Sequence, residues 1–432
     1  MSGSSSKRVL VLGGGVAGST VADRLACAGV DVTLVENQPL IGGHAGAMGC
    51  KAAEVCLRCN VCVAVDIFKS VLQSSRVQVI TRAHLAAFES RGLASPYRAV
   101  VTTKPGFIKM ERCTGCGVCL KACPQGCLRV LLPAVYGGKP VMDADACLRS
   151  KGKSCALCAK ACPVNAIDLD EKPHQHTLEA DALVVAVGYQ PFDPAIDASF
   201  GYGSVANVIT GLEAERQLVQ QRRITRPSDG AAPRRIAFIQ CVGSRSEHAH
   251  RRPEDMDYCS AVCCAYALRM ARRLLHESED AAVTVFYMDL QNFGKDFNAF
   301  LNAVKPRLTL IRARPYEVTA GPQDTVSVRY EDQAQGAVTG AVFDLVVLAI
   351  GIRPAPDTLA LAERLRIPVD EQGFLGVKGA TGLAESQRPR VFLAGACEAP
   401  KDIASSISQA ESVCAAVLGE CGIFDDGQAA RR

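Results

Sequence analysis

No stretch of about 18 uninterrupted apolar residues occurs in the chain, which leaves nothing long enough to cross a membrane as a helix. No dense Lys/Arg patch occurs either, and the formal net charge of +4 is small for 432 residues. A nucleic-acid-binding surface is therefore not expected. The short basic pairs Arg222-Arg223, Arg234-Arg235 and Arg272-Arg273 read as solvated surface. Met1 to Ser6 is a small polar tail, and glycines break the apolar run behind it at once, so no leader is expected. Together these absences point to the reducing cytoplasm. Thiols there bind metal or do redox work more often than they form disulfides.

What the chain has in excess is cysteine. There are 21, and thirteen fall between Cys50 and Cys162. Two runs, Cys113-x-x-Cys116-x-x-Cys119-x-x-x-Cys123-Pro124 and Cys147-x7-Cys155-x-x-Cys158-x-x-x-Cys162-Pro163, have the spacing and trailing proline with which bacterial ferredoxins hold [4Fe-4S] clusters. In such two-cluster domains the fourth cysteine of each run ligates the other cluster. One cluster then takes Cys113, Cys116, Cys119 and Cys162; the other takes Cys147, Cys155, Cys158 and Cys123. The seven-residue gap after Cys147 departs from the usual two, and Cys127 is the alternative ligand there. Zinc also uses Cys-x-x-Cys pairs, but the paired Cys-x-x-x-Cys-Pro endings favour iron–sulfur.

The rest has α/β texture and ordinary composition, 48% hydrophobic and 21% charged, enough for two or three domains. Val9 to Leu12 reads as a buried strand, Gly13 to Gly18 as a turn, Ser19 to Ala28 as a helix, and Asp31 to Val35 as a second strand ending at Glu36. Further strands are expected at 181–188, 235–240, 283–288, 309–311, 343–351 and 390–395, with helices at 262–275 and 403–418. The echo between 181–188 and 343–351, each an apolar strand ending on glycine, suggests two related nucleotide-binding-type lobes. The expected division is a FAD-binding domain at 7–104, 172–233 and 356–420, an inserted two-cluster ferredoxin domain (α+β) at 105–171, and a second lobe at 234–355.

Gly13-x-Gly15-x-x-Gly18 lies between a strand and a helix, with Glu36 closing the next strand, which is the context a dinucleotide fingerprint needs. Gly13 permits the tight turn, Gly15 lets a pyrophosphate approach the backbone, and Gly18 lets the helix pack closely. The helix amino terminus favours the phosphates, and Glu36 can accept hydrogen bonds from a ribose. The segments around Gly188 and Gly395, with the Gly42-Gly43 pair, resemble the flavin-contacting segments of two-dinucleotide-domain flavoproteins such as thioredoxin reductase. FAD is accordingly the expected dinucleotide, with Gly43, Gly188 and Gly395 in contact with it. That family carries an Asp after the last glycine, where this chain reads Ala396-Cys397-Glu398. The second lobe has no such fingerprint: Gln240-Cys241-Val242-Gly243-Ser244-Arg245 keeps one glycine, which argues against a pyridine nucleotide there.

Two more cysteine groups remain. Cys50, Cys56, Cys59 and Cys62 could hold a third [4Fe-4S] cluster beside the flavin, with structural zinc or a redox-active Cys56/Cys59 pair as alternatives. Cys241, Cys259, Cys263 and Cys264 fall within 24 positions and suggest a metal site. Cys27, Cys397, Cys414 and Cys421 read as small buried hydrophobes.

Assembled, these residues resemble the HdrA family, the flavin-bearing subunit of heterodisulfide reductases and their relatives. Four stretches carry the resemblance: Asn207 to Glu213, Arg226 to Gly230, Ile236 to Arg245 with Tyr258 to Cys264, and Phe286 to Asp289 through Phe293-Gly294-Lys295. The resemblance implies a thioredoxin-reductase-like fold with a ferredoxin insert, and a fourth [4Fe-4S] cluster on Cys241, Cys259, Cys263 and Cys264. It implies HdrB/HdrC-like partner subunits and a redox donor or acceptor protein, and leaves room for a homodimer within a larger complex. The family's long members carry an extra amino-terminal domain and a carboxy-terminal ferredoxin domain without counterparts in these residues, so bifurcation is not implied. The expected function is electron transfer between FAD and [4Fe-4S] clusters, serving partners that act on thiol/disulfide or sulfur compounds. Lys295 and Lys401 are the candidate cations for the flavin's neighbourhood. The rival readings are a free-standing NAD(P)H-dependent flavin disulfide reductase and a non-enzymatic relay or scaffold.

Overall fold

The structure, a computed structural model, describes residues 7–422 except 91, 93, 94, 247–255, 292, 293, 334 and 380–383. Phe293, one of the residues carrying the resemblance, lies outside the described residues.

Two lobes repeat one plan. In the first, the strands Val391–Leu393, Ala182–Val185, Arg8–Leu12, Asp31–Val35 and Val77–Ile80 form a five-stranded sheet in that order, with every neighbouring pair parallel. In the second, Val208–Thr210, Leu345–Ile350, Arg235–Val242, Ala282–Tyr287 and Leu308–Arg312 do the same. Their apolar runs, such as Leu345–Ile350, are buried at every position, as expected of parallel strands covered on both faces. Each lobe adds a three-stranded antiparallel sheet: Ala83–Glu89, Tyr97–Thr103 and His174–Ala180 in the first, Glu317–Ala320, Val326–Asp332 and Ala337–Phe343 in the second.

Corresponding polar residues clamp the two sheets. Asp181 accepts from the backbone N–H of Arg8 at 2.9 Å, and Asp344 accepts from that of Arg235 at 2.9 Å. A short antiparallel pair, Tyr189–Pro191 with Ile352–Pro354, ties lobe to lobe.

The ferredoxin segment is inserted at a hairpin. In the second lobe, Val326–Asp332 and Ala337–Phe343 are joined by four residues; the equivalent strands of the first lobe diverge after the Thr103–His174 pair and enclose the cysteine-rich segment. That insert holds two short helices, Val118–Ala122 and Leu157–Ala161, and a two-stranded sheet, Leu128–Val130 with Pro140–Met142.

The chain enters the second sheet earlier than residue 234, because the strand Val208–Thr210 pairs with Leu345–Ile350. Three residues reading Val-Ile-Thr are too short a run to assign to one sheet or the other. Among the described residues no helix is long and apolar enough to cross a membrane.

Candidate functional site: one cavity among four cysteine groups

The first glycine turn is built by close approach. A Cβ on Gly13 (φ +100°) would stand 2.2 Å from the Ala186 carbonyl oxygen, and one on Gly18 would stand 1.9 Å from that of Gly13. Gly15 differs, since a Cβ there would meet nothing within 4 Å. The space above it is open to a ligand's backbone approach, and the helix Val16–Cys27 begins there without a side-chain cap. Its first N–H groups are thus free to receive an anion. Gly43 (φ +51°) packs against Gly15, and Gly395 (φ +77°) against Ala17. Gly188 (φ +71°) turns the chain at the mouth of the strand Ala182–Val185.

Glu36 is buried and does more than wait for a ribose. Its carboxylate accepts from Gly14 N at 2.7 Å and from Gln38 N at 2.6 Å, which binds the end of the second strand to the glycine turn. Burial raises its pKa, and the backbone donors Gln38 and Gly14 oppose that rise.

A cavity of about 1910 Å³ opens on this turn. Gly13, Gly15, Glu36, Gly43 and Gly188 line it, as do Cys56 and Cys59, and residues Ala261 and Val262 at the start of the helix Cys263–Glu277. Lys401 lines it partly buried, with Nζ 3.1 Å from Glu398; Lys295 lines it from an exposed position. The Glu398 carboxylate, where the flavoprotein family has an Asp two positions earlier, is held by Lys401 and Gln409.

Sequence reasoning missed a buried ion pair in the wall. Lys51 Nζ lies 2.5 Å from Glu215, both nearly sealed from solvent at 2% and 4% side-chain exposure. Gly49 bonds to each, its carbonyl accepting from Lys51 and its N–H donating to Glu215. His44 and Tyr189 were also missed; their rings lie 4.6 Å apart in the same wall. A lysine beside Cys50 and a glutamate mid-helix carry no motif, so only the fold could pair them.

In the ferredoxin insert a small cleft is lined by Cys113, Cys116, Cys119 and Cys162, the crosswise set expected for one cluster. In the other set, Cys158 is close enough to Cys123 and Cys147 to feel their charge, although burial is the main cause of its raised pKa. Cys127 belongs to this neighbourhood. Its Sγ is 3.3 Å from that of Cys123, and burial together with that contact pushes its thiol up to about 12. Cys147 is buried beside Cys127 in one apolar cluster, while Cys155 is half-buried just ahead of the second helix. The insert also abuts the cavity: Leu131 and Leu132 line it, and the Tyr136 hydroxyl accepts from Ile41 N at 3.1 Å.

The Cys50–Cys62 loop is docked on the second lobe. Arg269 donates to the Leu57 carbonyl at 3.0 Å, Arg273 to that of Ala52 at 2.7 Å, and Arg58 pairs with Asp296. Cys56 and Cys59 face the cavity wall, whereas Cys50 and Cys62 are exposed.

The second lobe's turn carries the remaining group. Cys241 (φ +58°) sits at a register shift near the end of its strand, and Cys263 and Cys264 open the following helix, which has no side-chain cap. Burial, then the neighbouring Cys241, Cys264 and Cys259, push the Cys263 thiol well above its ordinary value. Burial likewise raises Cys264 to about 11 and, less strongly, Cys241, which Arg245 opposes. Arg245 is itself paired with Asp289. The one remaining glycine, Gly243, is there for packing: a Cβ would stand 2.1 Å from the Phe192 ring. Of the scattered cysteines, Cys397, Cys414 and Cys421 are buried, but Cys27 is exposed because it ends its helix at the surface.

Among the described residues no three His, Cys, Asp or Glu side chains are gathered as tightly as the ligands of a single metal ion. The thiol groups are neighbours spread over a larger span.

Comparison with known proteins agrees with this layout. The 4Fe-4S dicluster domain family matches residues 112–166, and the NAD(P)-binding Rossmann-like domain family matches 11–52. The chain is 33% identical over 94% of its length to the HdrA component of the H(2):CoB-CoM heterodisulfide,ferredoxin reductase of Methanothermobacter marburgensis. It is 32% identical over 95% of its length to the corresponding iron-sulfur component of the CoB--CoM heterodisulfide reductase of Methanocaldococcus jannaschii. The chain belongs to the HdrA family of heterodisulfide reductase components. It spans 63% and 64% of the length of those two relatives.

In fold it is similar to thioredoxin reductase from Lactococcus lactis, with a TM-score of 0.52 and 13% identity, covering 96% of this chain and 98% of that one. Thioredoxin reductase from T. acidophilum gives 0.51 and 11% over 96% and 98%. The expected thioredoxin-reductase-like α/β fold with an iron–sulfur segment is thus borne out, as are the cofactor classes, [4Fe-4S] clusters and FAD. Family and fold place the chain among the oxidoreductases.

Proposed function

We propose that this chain is the FAD- and [4Fe-4S]-containing electron-transfer subunit of a heterodisulfide-reductase-like complex in the cytoplasm. It would serve HdrB/HdrC-like subunits that act on thiol/disulfide or sulfur compounds, together with a redox donor or acceptor protein. The observation that carries this is the single cavity. It is lined at once by the glycine turn, by Cys56 and Cys59, by the start of the Cys263 helix, and by Leu131 and Leu132 of the ferredoxin insert.

In this reading the FAD, when bound, supplies the exchange between electron pairs and the single electrons that iron–sulfur clusters carry. The chain's own residues bind and orient. Gly13, Gly15, Gly18 and the uncapped helix behind them receive the pyrophosphate, while Glu36 fixes the turn. Gly43, Gly188 and Gly395 keep the walls close. Lys401, held by Glu398, is the partly buried cation of the cavity and Lys295 the exposed one; positive charge there favours an anionic ligand state.

For the ferredoxin insert we assign Cys113, Cys116, Cys119 and Cys162 to one cluster, and Cys123, Cys147, Cys155 and Cys158 to the other. Cys50, Cys56, Cys59 and Cys62 are assigned to a third, and Cys241, Cys259, Cys263 and Cys264 to a fourth. The insert is best taken as 104–173, the span enclosed by the Thr103–His174 pair, and the second lobe as beginning before Val208.

The test is iron and flavin content combined with redox-titrated EPR of the purified protein. One FAD and at least two [4Fe-4S] clusters are expected. Fewer clusters, or no FAD, would sink the reading. A second reading, an NAD(P)H-dependent flavin disulfide reductase with a Cys56/Cys59 dithiol, draws on the position of those two thiols in the cavity wall. Rapid bleaching of the flavin by NADH or NADPH would favour it.

A further inference from the structure

Gln240 stands immediately before Cys241 and is only 4% exposed, yet neither its amide nitrogen nor its amide oxygen has a hydrogen-bond partner among the described residues. A buried amide left this way is costly, whereas an apolar side chain of the same size would fill the place without penalty. The strand pattern says where the amide lies. Ile236 and Phe238 belong to the apolar cluster beneath the helix Cys263–Glu277, together with Ala267 and Met270. Gln240 continues that face at the strand period of two. It does so at the carboxyl end of the strand, beside the amino end of the helix, where Cys263 and Cys264 stand. Ile239 and Val242 belong to the opposite cluster, and the register shift between them turns Gln240 and Cys241 off that face.

Resting on the reading that Cys241, Cys259, Cys263 and Cys264 hold an iron–sulfur cluster, we propose that Gln240 donates its side-chain N–H to a sulfur of that cluster and tunes its potential. An iron–sulfur cluster offers the acceptor that the protein withholds. Hydrogen bonds to cluster sulfurs are among the terms that set the potential, and donation stabilises the more negative, reduced state. Arg245 cannot substitute, because its guanidinium is engaged with Asp289. Gln240 is therefore a positioning and tuning residue.

The test compares the wild-type holoprotein with Gln240→Met and Gln240→Glu, each checked for iron and flavin content. In Gln240→Met the iron content holds, and the midpoint of one cluster falls by about a tenfold change in its redox equilibrium, 59 mV for one electron. Gln240→Glu lowers the same midpoint further. Pulsed EPR of protein labelled with ¹⁵N in glutamine side-chain amides shows a weak nitrogen coupling to the reduced cluster, and Gln240→Met removes it. Unchanged midpoints in a fully loaded Gln240→Met protein overturn the proposal, as does loss of flavin and iron together in both variants, which marks a packing role. The underlying cluster assignment fails separately if Cys263→Ser keeps all of its iron.

Discussion

The two lobes begin from the same strand–turn–helix plan and put different chemistry at the turn. In the first, Gly13 and Gly18 bring backbone within touching distance and Gly15 leaves open space before an uncapped helix. In the second, the turn is lined with thiols, and its surviving glycine is pressed under Phe192. The helix Gly211–Gln221 supplies the contrast, because its amino end is closed by a full capping box of Thr210 and Glu213. The helix ends at the two turns are left without side-chain caps, and the structural helix is capped. One architecture thus receives a dinucleotide at one turn and, in our reading, a cluster at the other.

The largest effect expected from disturbing this comparison is Gly13→Ala. Its Cβ would collide with the Ala186 carbonyl oxygen, and backbone cannot give way as a side chain can. Flavin should be lost on purification, with a stability cost of about 3 kcal/mol, read by absorbance and thermal unfolding. In the second lobe, Gly243→Ala should cost roughly 2 kcal/mol while leaving flavin bound. Phe192→Leu should relieve part of that cost, so the double variant is more stable than the sum of the singles predicts. Additive losses would show that Gly243 is required for something other than the Phe192 ring.

Thr210→Ala removes a cap and should cost about 1 kcal/mol, with no change in flavin or iron. The smallest effect concerns pH. Burial would raise the Asp344 carboxyl, but hydrogen bonds from Arg235 and Arg234 outweigh it and hold the pKa below its ordinary value. A carboxylate with a depressed folded pKa stabilises above the unfolded pKa, and that contribution disappears as pH falls through the folded one. Asp344→Asn should therefore lower stability at neutral pH and flatten its decline in acid, measured by denaturant unfolding between pH 7 and about 3.

Much of this was legible in the residues. Apolar runs such as 345–350 and 8–12 can only be buried strands, and Gly13 to Gly18 announces its turn because steric approach demands glycine. The crosswise cysteine sets follow a spacing rule, and the cleft beside Cys162 has the expected membership. The strand Val208–Thr210 was misplaced because three apolar residues do not say which sheet they join. Cys27 was misjudged because burial depends on where the helix ends at the surface. The Lys51–Glu215 pair and the Phe192–Gly243 contact join residues 164 and 51 positions apart. No local period can encode such contacts. The orphaned amide of Gln240 was hidden for the same reason, since a polar residue in a strand declares itself only when its surroundings are known.

The central claim is that the second lobe's turn is an iron–sulfur site and not a nucleotide site. Iron quantitation with EPR on the wild type and on Cys263→Ser tests it most directly. The account predicts a loss of about four irons per chain and of one reduced-state signal, with flavin content unchanged. An unchanged iron content and signal set, with NADH binding to the wild-type protein, would contradict it.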